Sequence, residues 1–250
     1  MKGNRLMTTD QSCKLPGFGP TEAWAEVLQG AAVVDIREPA EFGEAHLPGS
    51  INIQYGSKKF AERVTTLIPA GAPLLFLASN DLQSEHCCCD LMALGRTNVI
   101  GYLAGGMHRW RLAGATTVRL AQISIHELRH RLMDPKDNLM LLDVRESFEW
   151  DELGFIKGSV LIPLGEVERR HRMLLDVDSL ALISEHGFRS STATSLLERL
   201  GLAGLMNVVE GIAGWRGAGY PLSEKPRVGA VAARNSWDRQ PGTTGPPGKV

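Results

Sequence analysis

Val33-Val-Asp35-Ile-Arg37-Glu38 decides how this chain is read, because it returns as Leu141-Leu-Asp143-Val-Arg145-Glu146 about 108 residues later. Both copies are a short apolar run closed by Asp-x-Arg-Glu. Further out, Ser84 with Leu94-Gly95 beyond it returns as Ser190 with Leu200-Gly201. Gly106-x-x-x-Trp110-x-x-x-Gly114 returns as Gly211-x-x-x-Trp215-x-x-x-Gly219. Landmarks in one order at a nearly constant displacement mark an internal repeat whose period is almost half the chain. The repeat predicts two domains of about 100 residues each, an ordinary domain size. They are expected at 20–117 and 118–225, between an N-terminal arm (1–19) and a tail (226–250). The tail is rich in Pro and Gly, lacks periodicity and reads as disordered.

Within each unit, helical and extended patterns alternate. Thr21 and Ser124 read as helix N-caps, and Ser124-Ile-His-Glu127 as a capping box. Apolar runs at 32–36, 73–78 and near 98–103 recur at 139–144, 179–183 and 205–209. They are too short for helices and apolar on both faces. Such runs, separated by helices, predict an α/β fold in which a parallel sheet is covered by helices on both faces, built twice.

Composition narrows the function. The 250 residues carry 27 basic and 28 acidic side chains, a net charge of -1, with 43% hydrophobic residues. Neither a nucleic-acid partner nor a polybasic membrane surface is expected from that balance. The longest apolar runs are far below the roughly 20 residues needed to span a bilayer, and the N-terminus has no signal-like apolar region. Of 4 cysteines, three stand together as Cys87, Cys88 and Cys89, which makes no disulfide framework. A soluble cytoplasmic protein is the expectation.

The segment Asp35-Ile-Arg37-Glu38-Pro-Ala-Glu41-Phe42-Gly-Glu-Ala-His46-Leu-Pro48-Gly49-Ser-Ile-Asn52 resembles the N-terminal signature of rhodanese domains, and Gly105-Gly106-x-x-x-Trp110-x-x-x-Gly114 resembles their C-terminal one. The second unit keeps both in weaker form, with Phe155-Ile-Lys157-Gly158 where the first has His46-Leu-Pro48-Gly49. The resemblance spans residues 20–225. It implies tandem sulfurtransferase domains that pass a sulfane sulfur from thiosulfate, mercaptopyruvate or a persulfide through a carrier cysteine. That cysteine would stand at the end of a central strand, opening a loop resembling C-R-x-G-x-R. Backbone amides there and the following helix N-terminus lower a thiol pKa.

Counting back from the shared landmarks puts Ser184-Glu185-His186-Gly187-Phe188-Arg189-Ser190 in the second loop and Ala78-Ser79-Asn80-Asp81-Leu82-Gln83-Ser84 in the first. Gly187 and Arg189 match the pattern. The carrier positions hold Ser184 and Ala78, and the first loop has lost the glycine and the arginine as well. Alanine has no nucleophile, and a serine hydroxyl ionises too weakly and forms no persulfide.

Other groups are candidate substitutes. With a helix starting near Ser84, residues 84, 87, 88, 91 and 94 share one face, and Leu91 with Leu94 makes it the buried one. Cys87 and Cys88 then pack against the sheet as Ala193 and Thr194 do in the second unit, while Cys89 points away and is partly exposed. Adjacent helical positions diverge, so the three sulfurs with His86 form no metal site. Cys13 reads as a free thiol in the arm. Ser184 with Arg189 forms a possible oxyanion site, and His186 a possible hydrolytic base, set against the negative charge of Glu185. Asp35 with Arg37 and Asp143 with Arg145 read as scaffold ion pairs. Trp110 and Trp215 read as packing residues, and the cluster Arg169-Arg-His-Arg172 as a solvated helix face.

The sequence therefore predicts a non-catalytic binding or regulatory module with no metal and no cofactor. Its ligand would be a partner protein or a small anion held between Gly187 and Arg189. The competing expectation is sulfur transfer through a relocated thiol, Cys89.

Overall fold

The computed structural model describes residues 15–57 and 59–224. Its first half runs β1 (Gly17–Phe18), α1 (Pro20–Leu28), β2 (Ala32–Asp35), α2 (Pro39–Glu44), β3 (Ile51–Asn52), α3 (Phe60–Leu67), β4 (Leu74–Leu77), α4 (Asp81–Ala93), β5 (Val99–Leu103) and α5 (Gly106–Leu112). The second half repeats it with β6 (Ala121–Ile123), α6 (Ile125–Met133), β7 (Met140–Asp143), α7 (Ser147–Leu153), β8 (Val160–Leu161), α8 (Leu164–Arg170), a 3₁₀ turn (His171–Leu174), β9 (Leu180–Ile183), α9 (Phe188–Arg199), β10 (Leu205–Val208) and α10 (Gly211–Gly217). Two five-stranded sheets result, ordered β1-β5-β4-β2-β3 and β6-β10-β9-β7-β8, and every strand pairing in them is parallel. β4 and β9 stand at the centres.

Alternation along the strands sends side chains to two cores. In the first sheet Val33, Leu75, Leu77 and Leu103 pack with Ala23, Met107 and Trp110 beneath α1 and α5. In the second, Leu141, Ala181, Ile183 and Val208 pack with Leu128, Ile212 and Trp215 beneath α6 and α10. Residues of the opposite parity, Val34, Phe76, Leu142 and Leu182 among them, belong to one cluster that runs through both halves. The two sheets thus share a continuous apolar interior. Each fully buried aliphatic or aromatic chain in it contributes about 1.5–3 kcal/mol.

Several expectations are corrected. Gly17–Phe18, assigned to the arm, forms an edge strand on β5. The N-cap of α1 is Gly19 rather than Thr21, because Pro20 at the first helical position fixes the entry two residues earlier. Ser124 does cap α6, its Oγ accepting the Glu127 N–H at 3.1 Å. α4 begins at Asp81, not near Ser84, and Leu94 lies beyond its end, 71% exposed. Cys13 and the tail 226–250 lie outside the described residues. No helix among the described residues is long and apolar enough to cross a membrane.

Candidate functional site

The central strands end at Leu77 and Ile183, so Ala78 and Ser184 are the first residues past the C-terminal ends of the two sheets. Sheets of this kind gather ligand sites there. The four residues Ser184–Gly187 join β9 to α9. Gly187 has φ 81°, and a Cβ on it would overlap the carbonyl oxygen of Val209. The Ser184 and Glu185 carbonyls accept the N–H groups of Ile212 and Ala213 at 2.8 and 3.0 Å, pinning the loop to the start of α10. The Ser184 hydroxyl is buried. Its Oγ accepts the Ser190 N–H at 3.2 Å and lies 3.1 Å from the Ser190 Oγ, so it caps α9. The N–H groups of residues 185–189 donate to no protein acceptor among the described residues.

The charges of this loop are arranged differently from expectation. Arg189, expected to face an oxyanion, forks instead onto Glu149, with NH1 and NH2 donating to the two carboxylate oxygens at 2.5 and 2.6 Å. Burial pushes the Glu149 carboxyl up, but the Arg189 hydrogen bonds and the Glu146 N–H outweigh it and leave it below the ordinary value. Glu185, expected to oppose an anion, is compensated by Arg216 and by Arg145 at 3.8 Å. His186 is exposed and has no hydrogen-bond partner among the described residues, so nothing orients it as a base.

Above the loop opens a cleft of about 460 Å³. The second domain supplies Ser184, His186, Phe188 and Arg189 with Phe148 and Leu164; the first supplies Lys59, Glu62, Arg63 and Leu67 from α3 and the residue before it. Arg63 donates to the Ser57 Oγ at 3.2 Å and forms no ion pair among the described residues. Burial lowers its pKa from the ordinary value, and the like charge of Arg189 adds to that.

The first loop is closed by its own side chains. Only Ala78, Ser79 and Asn80 separate β4 from α4. Asn80 Oδ1 accepts the Gln83 N–H at 2.9 Å, and Asp81 Oδ1 accepts the Gly105 N–H at 2.7 Å. Ser79 Oγ donates toward both oxygens of Glu41, 3.0 Å from each. Ala78 and Ser84 are buried and Leu82 is exposed.

Cys87 and Cys88 are fully buried, Cys88 Sγ 3.7 Å from the Gly101 carbonyl, and burial pushes the Cys87 thiol up. Cys89 is half-buried and neighbours Asp90, which carries negative charge. Among the described residues no group of His, Cys, Asp and Glu is placed to hold a metal ion. Asp35–Arg37 and Asp143–Arg145 are buried ion pairs, and each arginine also donates to a carbonyl of the turn beyond the next helix, Ala45 at 2.9 Å and Gly154 at 2.8 Å. Trp110 and Trp215 donate to the carbonyls of Thr116 and Pro221 at 2.8 and 3.0 Å, tying each final helix to the chain that leaves it. The cluster at 169–172 is divided between α8 and the 3₁₀ turn, with Arg169 and Arg170 both on Glu166 at 3.4 Å.

The model of the rhodanese-like domain matches residues 20–113 and again 124–218. The chain belongs to the rhodanese-like domain family. It is 34% identical over 113 residues to the putative sulfur carrier protein YrkF of Bacillus subtilis (strain 168), covering 45% of this chain and 58% of that protein. It is 30% identical over 94 residues to the thiosulfate sulfurtransferase GlpE of Pseudomonas entomophila (strain L48), covering 38% of this chain and 83% of that one. Among solved structures, the rhodanese-related protein of Thermoplasma volcanium aligns at 33% identity over 42% of this chain and 99% of its own, with a TM-score of 0.38.

Two parts of the cleft lie outside the residues that the sequence motifs single out. One is Glu149, which the repeat itself marks, since it stands about 108 residues after Glu41. The other is the wall contributed by α3, for which the sequence carries no signal: only the packing of one domain on the other brings Arg63 to the cleft.

Proposed function

We propose that this tandem rhodanese protein is a binding module, and that its ligand is a small anion seated in the cleft above the Ser184–Gly187 loop. The observation that carries the reading is the state of the two strand ends. Ala78 offers no nucleophile, and the hydroxyl of Ser184 is engaged with Ser190 inside the protein. Sulfur relay needs a thiolate at one of these points. The anion is favoured in the second domain by the free amide N–H groups at the start of α9 and by Arg63, which forms no direct ion pair among the described residues, although Glu62 and Glu146 act on it from a distance. The first loop is a poorer candidate, because Asn80 already takes the Gln83 N–H and the Asp81 side chain takes the neighbouring Gly105 N–H and brings a carboxylate to the strand end.

The test is to incubate the purified protein with thiosulfate and cyanide while titrating thiosulfate and sulfate by calorimetry. The expected result is saturable anion binding at one site, weakened in Arg63→Ala, without thiocyanate release. Thiocyanate release that disappears in Cys89→Ser would overturn the reading in favour of a relocated thiol.

A further inference from the structure

The contact between the two domains contains a buried imidazole that the cleft does not use. His46, on the turn after α2, is fully buried and stacks on Phe42 with ring centroids 3.8 Å apart. Its Nδ1 lies 2.9 Å from the Phe42 carbonyl oxygen, and its Nε2 lies 2.7 Å from Oε2 of Glu198 on α9 of the other domain. Carbonyl and carboxylate oxygens only accept hydrogen bonds, whereas a neutral imidazole has a single N–H. Both contacts are attractive only when the His46–Glu198 pair carries one further proton.

The second domain supplies an internal control. There Phe155 stands where the first has His46, and the two turns make the same kind of bridge, His46 with Val118 and Phe155 with Ser223. The turn forms without an imidazole, so the ring's distinct contribution is its contact with Glu198. Beside that contact α9 grips the edge of the first sheet through Asn52. Asn52 N–H donates to Ser195 Oγ at 3.0 Å, Ser191 donates to its Oδ1 at 2.6 Å, and Thr192 donates to its carbonyl at 2.6 Å.

We propose that His46 and Glu198 form a proton-dependent latch that holds α9 against the first domain while both ring nitrogens are protonated and releases it as the pH rises. The latch goes beyond the anion-binding reading and stands whether or not the cleft takes a ligand. Of the charged groups near His46, Glu198 of α9 touches it and Asp35 at the end of β2 interacts with it electrostatically, while Glu44 and Arg119 flank the turn in sequence. Arg37 is committed to Asp35, and Arg119 donates to the Glu44 carbonyl.

The test uses the full chain. Long-range proton–nitrogen NMR of the imidazoles and hydrogen exchange at Asn52 are followed from about pH 5 to about pH 8, the range in which an imidazole ordinarily changes charge. Wild type, Glu198→Gln and His46→Phe are compared. The wild type is expected to show both His46 nitrogens protonated at the lower pH. Once the intrinsic rate is divided out, opening at Asn52 should rise, by at most about tenfold per pH unit, as the His46–Glu198 pair loses its extra proton, and level off once the latched state is deprotonated as well. In Glu198→Gln that dependence is lost, and other histidines are common to both proteins. A contact that was merely structural would raise opening equally at every pH. Superimposable pH profiles for wild type and Glu198→Gln, or a singly protonated His46 throughout, would overturn the proposal. Glu198 is partly exposed, so its variant keeps the test decisive if His46→Phe does not fold.

Discussion

Gly187 is the residue on which the second loop turns. Its φ of 81° is one that other residues adopt at a cost of about 1–2 kcal/mol, and the overlap with the Val209 carbonyl adds to it. Gly187→Ala is therefore expected to lower unfolding free energy by at least that amount, measured by urea denaturation. Ser184→Cys tests the loop differently. The new sulfur would sit under the amides at the start of α9, so its thiol should alkylate faster at neutral pH than that of Ala78→Cys, whose loop carries Asp81. A faster Ala78→Cys would contradict the geometry assigned to the two loops. Glu149 sets an acid limit. Its carboxyl lies below the ordinary 4.5 in the folded protein, so the stability it gives is complete above that value and is lost as pH falls through the lowered one. Glu149→Gln should flatten the acid side of the melting-temperature profile while lowering its plateau. The buried Asp-Arg pairs and both tryptophans were legible from sequence because the repeat prints them twice. The pairing of Arg189 with Glu149 was not, because a guanidinium reaches whichever carboxylate the tertiary fold brings near.

At the scale of elements, α4 and α9 occupy equivalent places but begin in different ways. α4 is capped by the Asn80 side chain, and α9 starts from a left-handed glycine with the Ser184 hydroxyl inside its first turn. Asn80→Ala should cost about 1 kcal/mol in a denaturation experiment, the usual worth of such a cap. The central strands were readable as apolar runs because they are covered on both faces. The strands β1, β3 and β8, two residues each, show no periodicity and emerge only through pairing with a longer neighbour. Leu94 misled the reading of α4: helical spacing placed it on the buried face, but the helix has ended before it.

For the whole molecule, the apolar cluster common to both sheets predicts that the domains unfold together. Calorimetry on the full chain should give one transition with equal calorimetric and van't Hoff enthalpies; two resolved transitions would mean that the shared interior is not cooperative. This sharing was invisible in the sequence. Residues 190–197 include five serines and threonines, yet every one of the eight is buried, because Ser191, Thr192 and Ser195 spend their hydroxyls on the neighbouring domain and on the helix itself.

The hydroxyl-studded flank of α9 also bears on how the duplicated halves depend on each other. Severing the covalent bridge at residues 113–116 would leave each fragment with an unmet surface: on one side the amide and carbonyl of Asn52, on the other a row of serine and threonine oxygens. Two such pieces, coexpressed from separate genes, should recover one another as a stoichiometric complex, drawn together by these contacts and by residues 118–120, which bond to the end of α2 and the turn after it.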